Sequence, residues 1–146
     1  MKNLVITVPR LEIHRPPIST AIIANCIKQA GHPVDTLDLN CELFHYLSNR
    51  NSYYAYDQIW DRVRPITKSE TKNLIKFIKQ VAFKKIADND RIFISVFGSS
   101  AHLFTTILCK LIRKNFKNKI IVLGGQGVKS SSVGKLKQSF GNRMKK

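Results

Sequence analysis

Residues 3–39, NLVITVPRLEIHRPPISTAIIANCIKQAGHPVDTLDL, decide the fold. The first segment, Asn3–Val8, is apolar and mostly β-branched, and Pro9 ends it because proline cannot donate to a strand ladder. Such a run reads as a buried strand. Pro9–Ile18 holds three prolines and two arginines and reads as a loop. Ser19 or Thr20 is expected to cap a helix to about Ala30, with Ile22, Ile23, Cys26, Ile27 and Ala30 on its apolar side. Gly31, tolerant of positive φ, stops that helix. Val34–Leu39 then reads as a second strand. Strand, helix and strand joined by short links form a βαβ unit, which calls for parallel pairing and a right-handed crossover.

The rest of the chain extends this pattern. Lys68–Ala87 reads as a long amphipathic helix, with Leu74, Ile75, Ile78, Val81 and Ala82 on one side and Lys68, Lys72, Lys76 and Lys79 on the other. Arg91–Phe97 is a third strand, Gly98–Ala101 a tight turn and His102–Asn115 a helix facing the sheet through Leu103, Ile107, Leu108, Leu111 and Ile112. Lys119–Leu123 is a fourth strand, ending in Gly124 and Gly125. Cys41–Arg64 is irregular, with short helices expected at Glu42–Leu47 and Asp57–Val63. Tyr46, Tyr53, Tyr54, Tyr56 and Trp60 crowd that stretch. Such a cluster makes either a ligand-facing wall or, more commonly, a satellite core under a long connection. The order predicts a three-layer α/β domain over 1–128: a doubly wound, flavodoxin-like (Rossmann-like) parallel sheet of four strands. Lys129–Lys146 is polar and basic, with Val133, Leu136, Phe140 and Met144 as its large apolar residues, and reads as a weak helix or loose tail.

Composition narrows the class. With 43% hydrophobic and 23% charged residues in 146, the chain has enough apolar material for one core and is not of the disordered type. Its apolar runs are too short to span a bilayer, and Met1–Val8 lacks a cleavable signal layout, so a cytoplasmic location is expected. Cys26, Cys41 and Cys109 have no metal-ligand or redox spacing. Cys26 and Cys109 are expected as buried filler, while Cys41 near a strand end stays open. The net charge of +16 favours anionic partners, nucleic acid among them, although the lysines are spread over several elements.

In open parallel sheets ligands bind beyond the carboxyl ends of the strands, where strand order reverses. Those ends are Pro9–Ser19, Gly98–His102 and Gly124–Gly127. Gly98, Ser99 and Ser100 open a helix after a buried strand, and Gly124, Gly125 and Gly127 follow another. Small residues there admit close approach of a ligand to backbone. Asp35, Asp38, His32 and His102 are isolated titratable candidates. Asp38 is expected as a cap or turn residue and His102 as a residue serving the start of its helix. A P-loop is excluded because no glycine-rich run ends in Gly-Lys-Ser/Thr.

The loop with Arg15-Pro-Pro-Ile-Ser-Thr20, the helix ending Lys28-Gln-Ala-Gly-His-Pro-Val-Asp35, Arg91-Ile-Phe-Ile-Ser-Val-Phe-Gly-Ser-Ser100 and Ile120-Ile-Val-Leu-Gly-Gly-Gln-Gly127 together carry a likeness. From about Met1 to Val128 the chain resembles the cobalamin-binding domain that precedes the barrel of class B radical-SAM enzymes. The resemblance implies that Ser95, Ser99 and Ser100 line a cavity for the cobalamin nucleotide tail. It implies that Gly124, Gly125 and Gly127 let that tail pass close to the backbone. The loop after the first strand, with Arg10, Leu11 and His14, would face the corrin ring. Domains of this kind that supply a lower axial histidine carry Asp-x-His-x-x-Gly. Here Glu12-Ile13-His14-Arg15-Pro16-Pro17 keeps only the histidine, so cobalamin without a histidine lower ligand is expected. No Cys-x-x-x-Cys-x-x-Cys triplet is present, so no iron–sulfur cluster and no complete radical-SAM enzyme are expected in this chain. The resemblance therefore implies a truncated domain, or one working with a separate barrel chain or another protein at the open sheet edge. The alternative is a basic flavodoxin-like interaction or nucleic-acid-binding protein.

Overall fold

A computed structural model describes residues 1–9, 17–47 and 50–128, leaving aside the side chains of 50 and 51. The expectations for Arg10, Leu11, His14 and the tail 129–146 lie outside the described residues.

Four five-residue strands form one all-parallel sheet: β1 (Asn3–Thr7), β2 (Val34–Asp38), β3 (Arg91–Ser95) and β4 (Ile120–Gly124), in the order β2-β1-β3-β4. This is the flavodoxin-like, doubly wound arrangement that the alternation of strands and helices predicts. The order of strands reverses between β1 and β3, because one crossover leads outward to β2 and the next returns across β1. Helix α1 (Ile18–Gln29) links β1 to β2. Three short or irregular helices follow, α2 (Leu39–Tyr46), α3 (Arg50–Ala55) and α4 (Asp57–Trp60), and then α5 (Lys68–Asp88) leads into β3. A 3-10 turn at Ser99–Ala101 and α6 (His102–Asn115) lead to β4, and a second 3-10 turn, Gln126–Val128, follows it.

The register sorts every sheet residue onto one of two faces. Asp35, Leu4, Ile92 and Ile121 stand side by side, as do Leu37, Ile6, Ile94 and Leu123. Apart from Asp35, these side chains meet the main core, with Leu74, Phe77, Ile78, Ala82 and Ile86 of α5 and Phe104, Leu108, Cys109 and Ile112 of α6. Burying each such side chain contributes about 2 kcal/mol. The opposite face carries Val34, Asn3, Arg91 and Ile120, then Thr36, Val5, Phe93 and Val122, then Asp38, Thr7, Ser95 and Gly124. There α1 packs on β1 and β2, and Val5 is fully buried.

The aromatic stretch resolves mostly as core, with Tyr46 partly buried against it and Tyr54 exposed. Tyr53, Tyr56, Ile59 and Trp60 are buried within the main cluster, Tyr56 stacks on Trp60, and Trp60 meets Phe104 edge-on. Tyr53 donates its hydroxyl hydrogen to Asn40 Oδ1 at 2.6 Å, which lets both polar groups lie buried. Helix α3 and the start of α2 at Leu39 depart from the expected pattern. Asp38 ends β2 and caps α2 at once, accepting from the backbone N–H groups of Asn40 and Cys41, so the chain turns one residue before Leu39 can extend the strand.

Two expectations for α1 are corrected. The helix starts at Ile18 behind Pro17, and neither Ser19 nor Thr20 caps it, because both hydroxyls turn inward to the sheet. Its sheet-facing side is Thr20, Ile23, Ala24 and Ile27, whereas Ile22, Cys26 and Ala30 are exposed. Cys26 is therefore not buried filler. Cys109 is, and burial pushes its thiol up to about 12. The thiol of Cys41 is also raised, by burial first and by Asp38 beside it second, so it lacks the thiolate character of a reactive cysteine.

Helix α5 begins in a capping box. Thr67 accepts from the Glu70 backbone N–H at 3.2 Å, and the Glu70 carboxylate accepts from the Thr67 N–H at 2.9 Å and from Arg64 at 2.7 Å. The Arg64 hydrogen bond, supported by Thr67, holds Glu70 at about 2, below its ordinary 4.5. A carboxylate depressed on folding contributes stability that is full above its unfolded value and is lost as pH falls through the folded one. Glu70→Gln should thus lower stability at pH 7 by about 1 kcal/mol. Urea unfolding curves of the two proteins should converge between pH 4.5 and 2, and a pH-independent gap would contradict this assignment.

Candidate functional site

The C-terminal tips of the strands converge, and the reversal between β1 and β3 places Thr7, Ser95 and Gly124 in one row at that edge. Thr7 and Thr20 share a buried hydroxyl–hydroxyl hydrogen bond, and the Ser19 and Ser95 hydroxyls are 2.9 Å apart. These two contacts fix the N-terminal turn of α1 onto the tips of β1 and β3. They also satisfy polar groups that would each cost about 1–3 kcal/mol if buried unpaired. Sequence reasoning missed Thr7, Ser19 and Thr20 as a unit. Spacing puts Thr20, Ile23 and Ile27 on one helical face, but Ile22 and Cys26 make a rival apolar side, so the sequence carries no signal that decides between them.

The glycines divide into two kinds. Gly125 has φ 109°, and a Cβ there would lie 2.5 Å from the Val96 carbonyl oxygen. A Cβ on Gly127 would meet the Gly98 backbone at 2.9 Å, and the Gly127 N–H donates to the Val96 carbonyl at 2.9 Å. Both therefore serve the turn that folds the end of β4 over the exit of β3. Gly124 is different: nothing lies within 4 Å of the Cβ it lacks. A small residue there leaves open space beside Ser95. Gly98 is likewise open, and it precedes the 3-10 turn Ser99–Ala101, whose first residue is exposed.

Two clefts flank this edge. One, of about 460 Å³, lies between α1 and β2 and is lined by Thr7, Pro17, Ile18, Asn25, Thr36 and Asp38. The other, of about 570 Å³, lies on the far side of the sheet, where Trp60, Arg62, Arg64, Ser99, His102 and Thr106 meet. Ser95 and Gly124 are thus brought together, while Ser99 opens onto the opposite side and Ser100 is half-buried. His102 is buried and its Nε2 lies 2.9 Å from the Gly127 carbonyl oxygen. A carbonyl only accepts, so Nε2 carries the proton and Nδ1 faces Arg62 at 3.4 Å. His102 therefore ties the start of α6 to the turn after β4, and its role is wider than the expected one at its own helix. Arg62 has φ 61°, a conformation that side chains other than glycine and asparagine rarely hold.

His32 and Asp35 do not join these clefts, and no group of three or more His, Cys, Asp or Glu that suits a metal occurs among the described residues. No helix among them is long and apolar enough to cross a membrane. Comparison with protein-family models, curated proteins and solved structures returns no match to this chain.

The two kinds of glycine make opposite predictions. Gly125→Ala should cost about 1–3 kcal/mol, since it combines left-handed backbone strain with a clash against fixed backbone. Gly124→Ala should leave the melting temperature nearly unchanged. Differential scanning calorimetry of both variants checks this, and equal losses would show that Gly124 is also packed.

Proposed function

We propose that the chain is a cobalamin-binding module of the radical-SAM type, with the cofactor's nucleotide tail lying at the C-terminal edge of the sheet between β3 and β4. One observation carries this reading. The register of β3 and β4 pairs Ser95, whose hydroxyl lies 2.9 Å from that of Ser19, with Gly124, where a Cβ would meet open space. Open backbone beside hydroxyls at a strand tip suits a phosphate-bearing tail, and the sequence resemblance names cobalamin among such cofactors. The fit is partial, because Gly125 and Gly127 are occupied by their own turn. The corrin supplies whatever reactivity the module has, and the residues described here bind and orient. Any radical chemistry depends on a cluster held outside these 146 residues, and β4, an edge strand among the described residues, is where a partner chain would pair.

Titration with hydroxocobalamin tests the proposal. The bound complex should survive gel filtration with a shifted visible spectrum. His14→Ala should leave that spectrum unchanged, and Gly124→Leu should weaken binding at least about tenfold, a cost of about 1.4 kcal/mol. An unaltered spectrum at millimolar cofactor removes the assignment.

A second reading, binding of nucleic acid, has its own support. Lys68, Lys72, Lys76 and Lys79 are all exposed and recur at helical spacing along α5, forming one basic stripe. If that stripe meets phosphates, affinity for a mixed-sequence oligonucleotide should fall steeply with salt. Replacing the four lysines by Gln should flatten the slope by up to four counterions. A salt-independent affinity, or a slope the substitutions leave alone, would eliminate this reading.

A further inference from the structure

The cleft on the α6 side of the sheet, about 570 Å³, falls in the size range of small-molecule sites. Its wall is apolar along Ile66 and Leu103 and basic at Arg62 and Arg64, and no Asp or Glu lines it among the described residues. The two arginines differ. Arg64 gives its charge to Glu70 through two hydrogen bonds, of 2.7 Å and 3.1 Å. Arg62 has no carboxylate partner among the described residues. Its side-chain hydrogen bond there, 3.4 Å to His102 Nδ1, goes to a ring nitrogen that accepts. His102 is itself held by the Gly127 carbonyl at 2.9 Å, so the guanidinium is tethered to the start of α6 while most of its donors stay uncommitted. Arg62 also holds φ 61°, and backbone strain of this kind collects at functional sites.

Two further observations concern the same wall. Trp60, 1% exposed, belongs to it, and its indole N–H has no hydrogen-bond partner among the described residues. Buried donors in native proteins are nearly always paired, so the wall holds hydrogen-bonding capacity that the described chain does not use. No side chain caps the Ser99–Ala101 turn or α6, and neither has an acidic residue in its first turn. The positive end of that helix therefore adds to the field of Arg62. We propose that the cleft binds a small phosphomonoester, its phosphate between the Arg62 guanidinium and Ser99 and its apolar body along Ile66 and Leu103. A phosphate accepts hydrogen bonds at every oxygen, and both a guanidinium fork and a helix start donate to it. A concave, partly apolar wall favours a small molecule over a polymer. The cleft lies across the sheet from Ser95 and Gly124, so this site does not rest on the cobalamin reading, and its test uses no cobalamin.

Trp60 is the chain's single tryptophan, so its fluorescence reports on the cleft directly. Phenyl phosphate added to the full chain should change that fluorescence saturably in the millimolar range, and benzyl alcohol, which lacks the phosphate, should not. Arg62→Asn should weaken phenyl phosphate binding at least about tenfold. It should do so without lowering the melting temperature, because asparagine holds φ 61° more readily than arginine. Arg62→Lys keeps the charge but not the planar fork and should fall between the two. Ser99→Ala should weaken binding about threefold. An affinity that Arg62→Asn leaves alone, as unspecific attraction to a net charge of +16 would give, overturns the proposal. An equal response to benzyl alcohol overturns it too, as does a response confined to a mixed-sequence oligonucleotide, which would hand the cleft to a polymer.

Discussion

The central strand β1 has no solvent-facing side, and the rest of the structure is arranged around that constraint. Leu4, Val5 and Ile6 are all fully buried, so both faces of the sheet need cover where β1 runs. Pairing of β1 with β2 on one side and β3 on the other fixes the reversal of strand order, and with it the edge where Thr7, Ser95 and Gly124 align. The candidate site is a consequence of that burial. A ligand at this edge would meet backbone and hydroxyls placed by the register of three strands.

Much of the fold was legible in the residues themselves. Apolar runs at 3–8, 91–97 and 120–123 are short and β-branched, and the segments between them have a helical period, so strand number and parallel pairing follow from pattern alone. What pattern could not supply was which side of α1 meets the sheet. Ile22 and Cys26 are as apolar as Ile23 and Ile27, and hydrophobicity cannot rank them. The choice is made by two hydroxyl contacts, Thr7 with Thr20 and Ser19 with Ser95, between residues far apart in sequence. The helix boundaries around Asp38 escaped for a similar reason: one carboxylate both ends a strand and caps a helix.

The site was legible only as a location. Glycines at strand ends mark either a ligand or a tight turn, and sequence cannot separate the two. The structure separates them by what a Cβ would strike: Val96 backbone at Gly125, Gly98 backbone at Gly127, and nothing at Gly124. The serines divide as well, since Ser95 faces α1 while Ser99 opens onto the cleft with Arg62 and His102. A motif that reads as one continuous polar lining along the chain is therefore split across the sheet, because Ser95 lies within β3 and Ser99 begins the path into α6.

Charge adds little to the placement of a site but bears on how the pieces hold together. The chain carries 25 basic and 9 acidic residues, so carboxylates are outnumbered nearly three to one. Several basic residues are instead used as hydrogen-bond donors to backbone: Lys85 donates to the Thr36 carbonyl, Lys119 to that of Ala87 and Arg113 to that of Lys119. These bonds gather the N-terminal end of the sheet, opposite the candidate site. Basic residues so deployed tie helix and strand ends together, and Lys85 at the last turn of α5 is one of them, while Lys68, Lys72, Lys76 and Lys79 earlier on that helix are exposed. Among the described residues the positive charge is thus divided between cations bound to backbone carbonyls and the exposed stripe of Lys68, Lys72, Lys76 and Lys79.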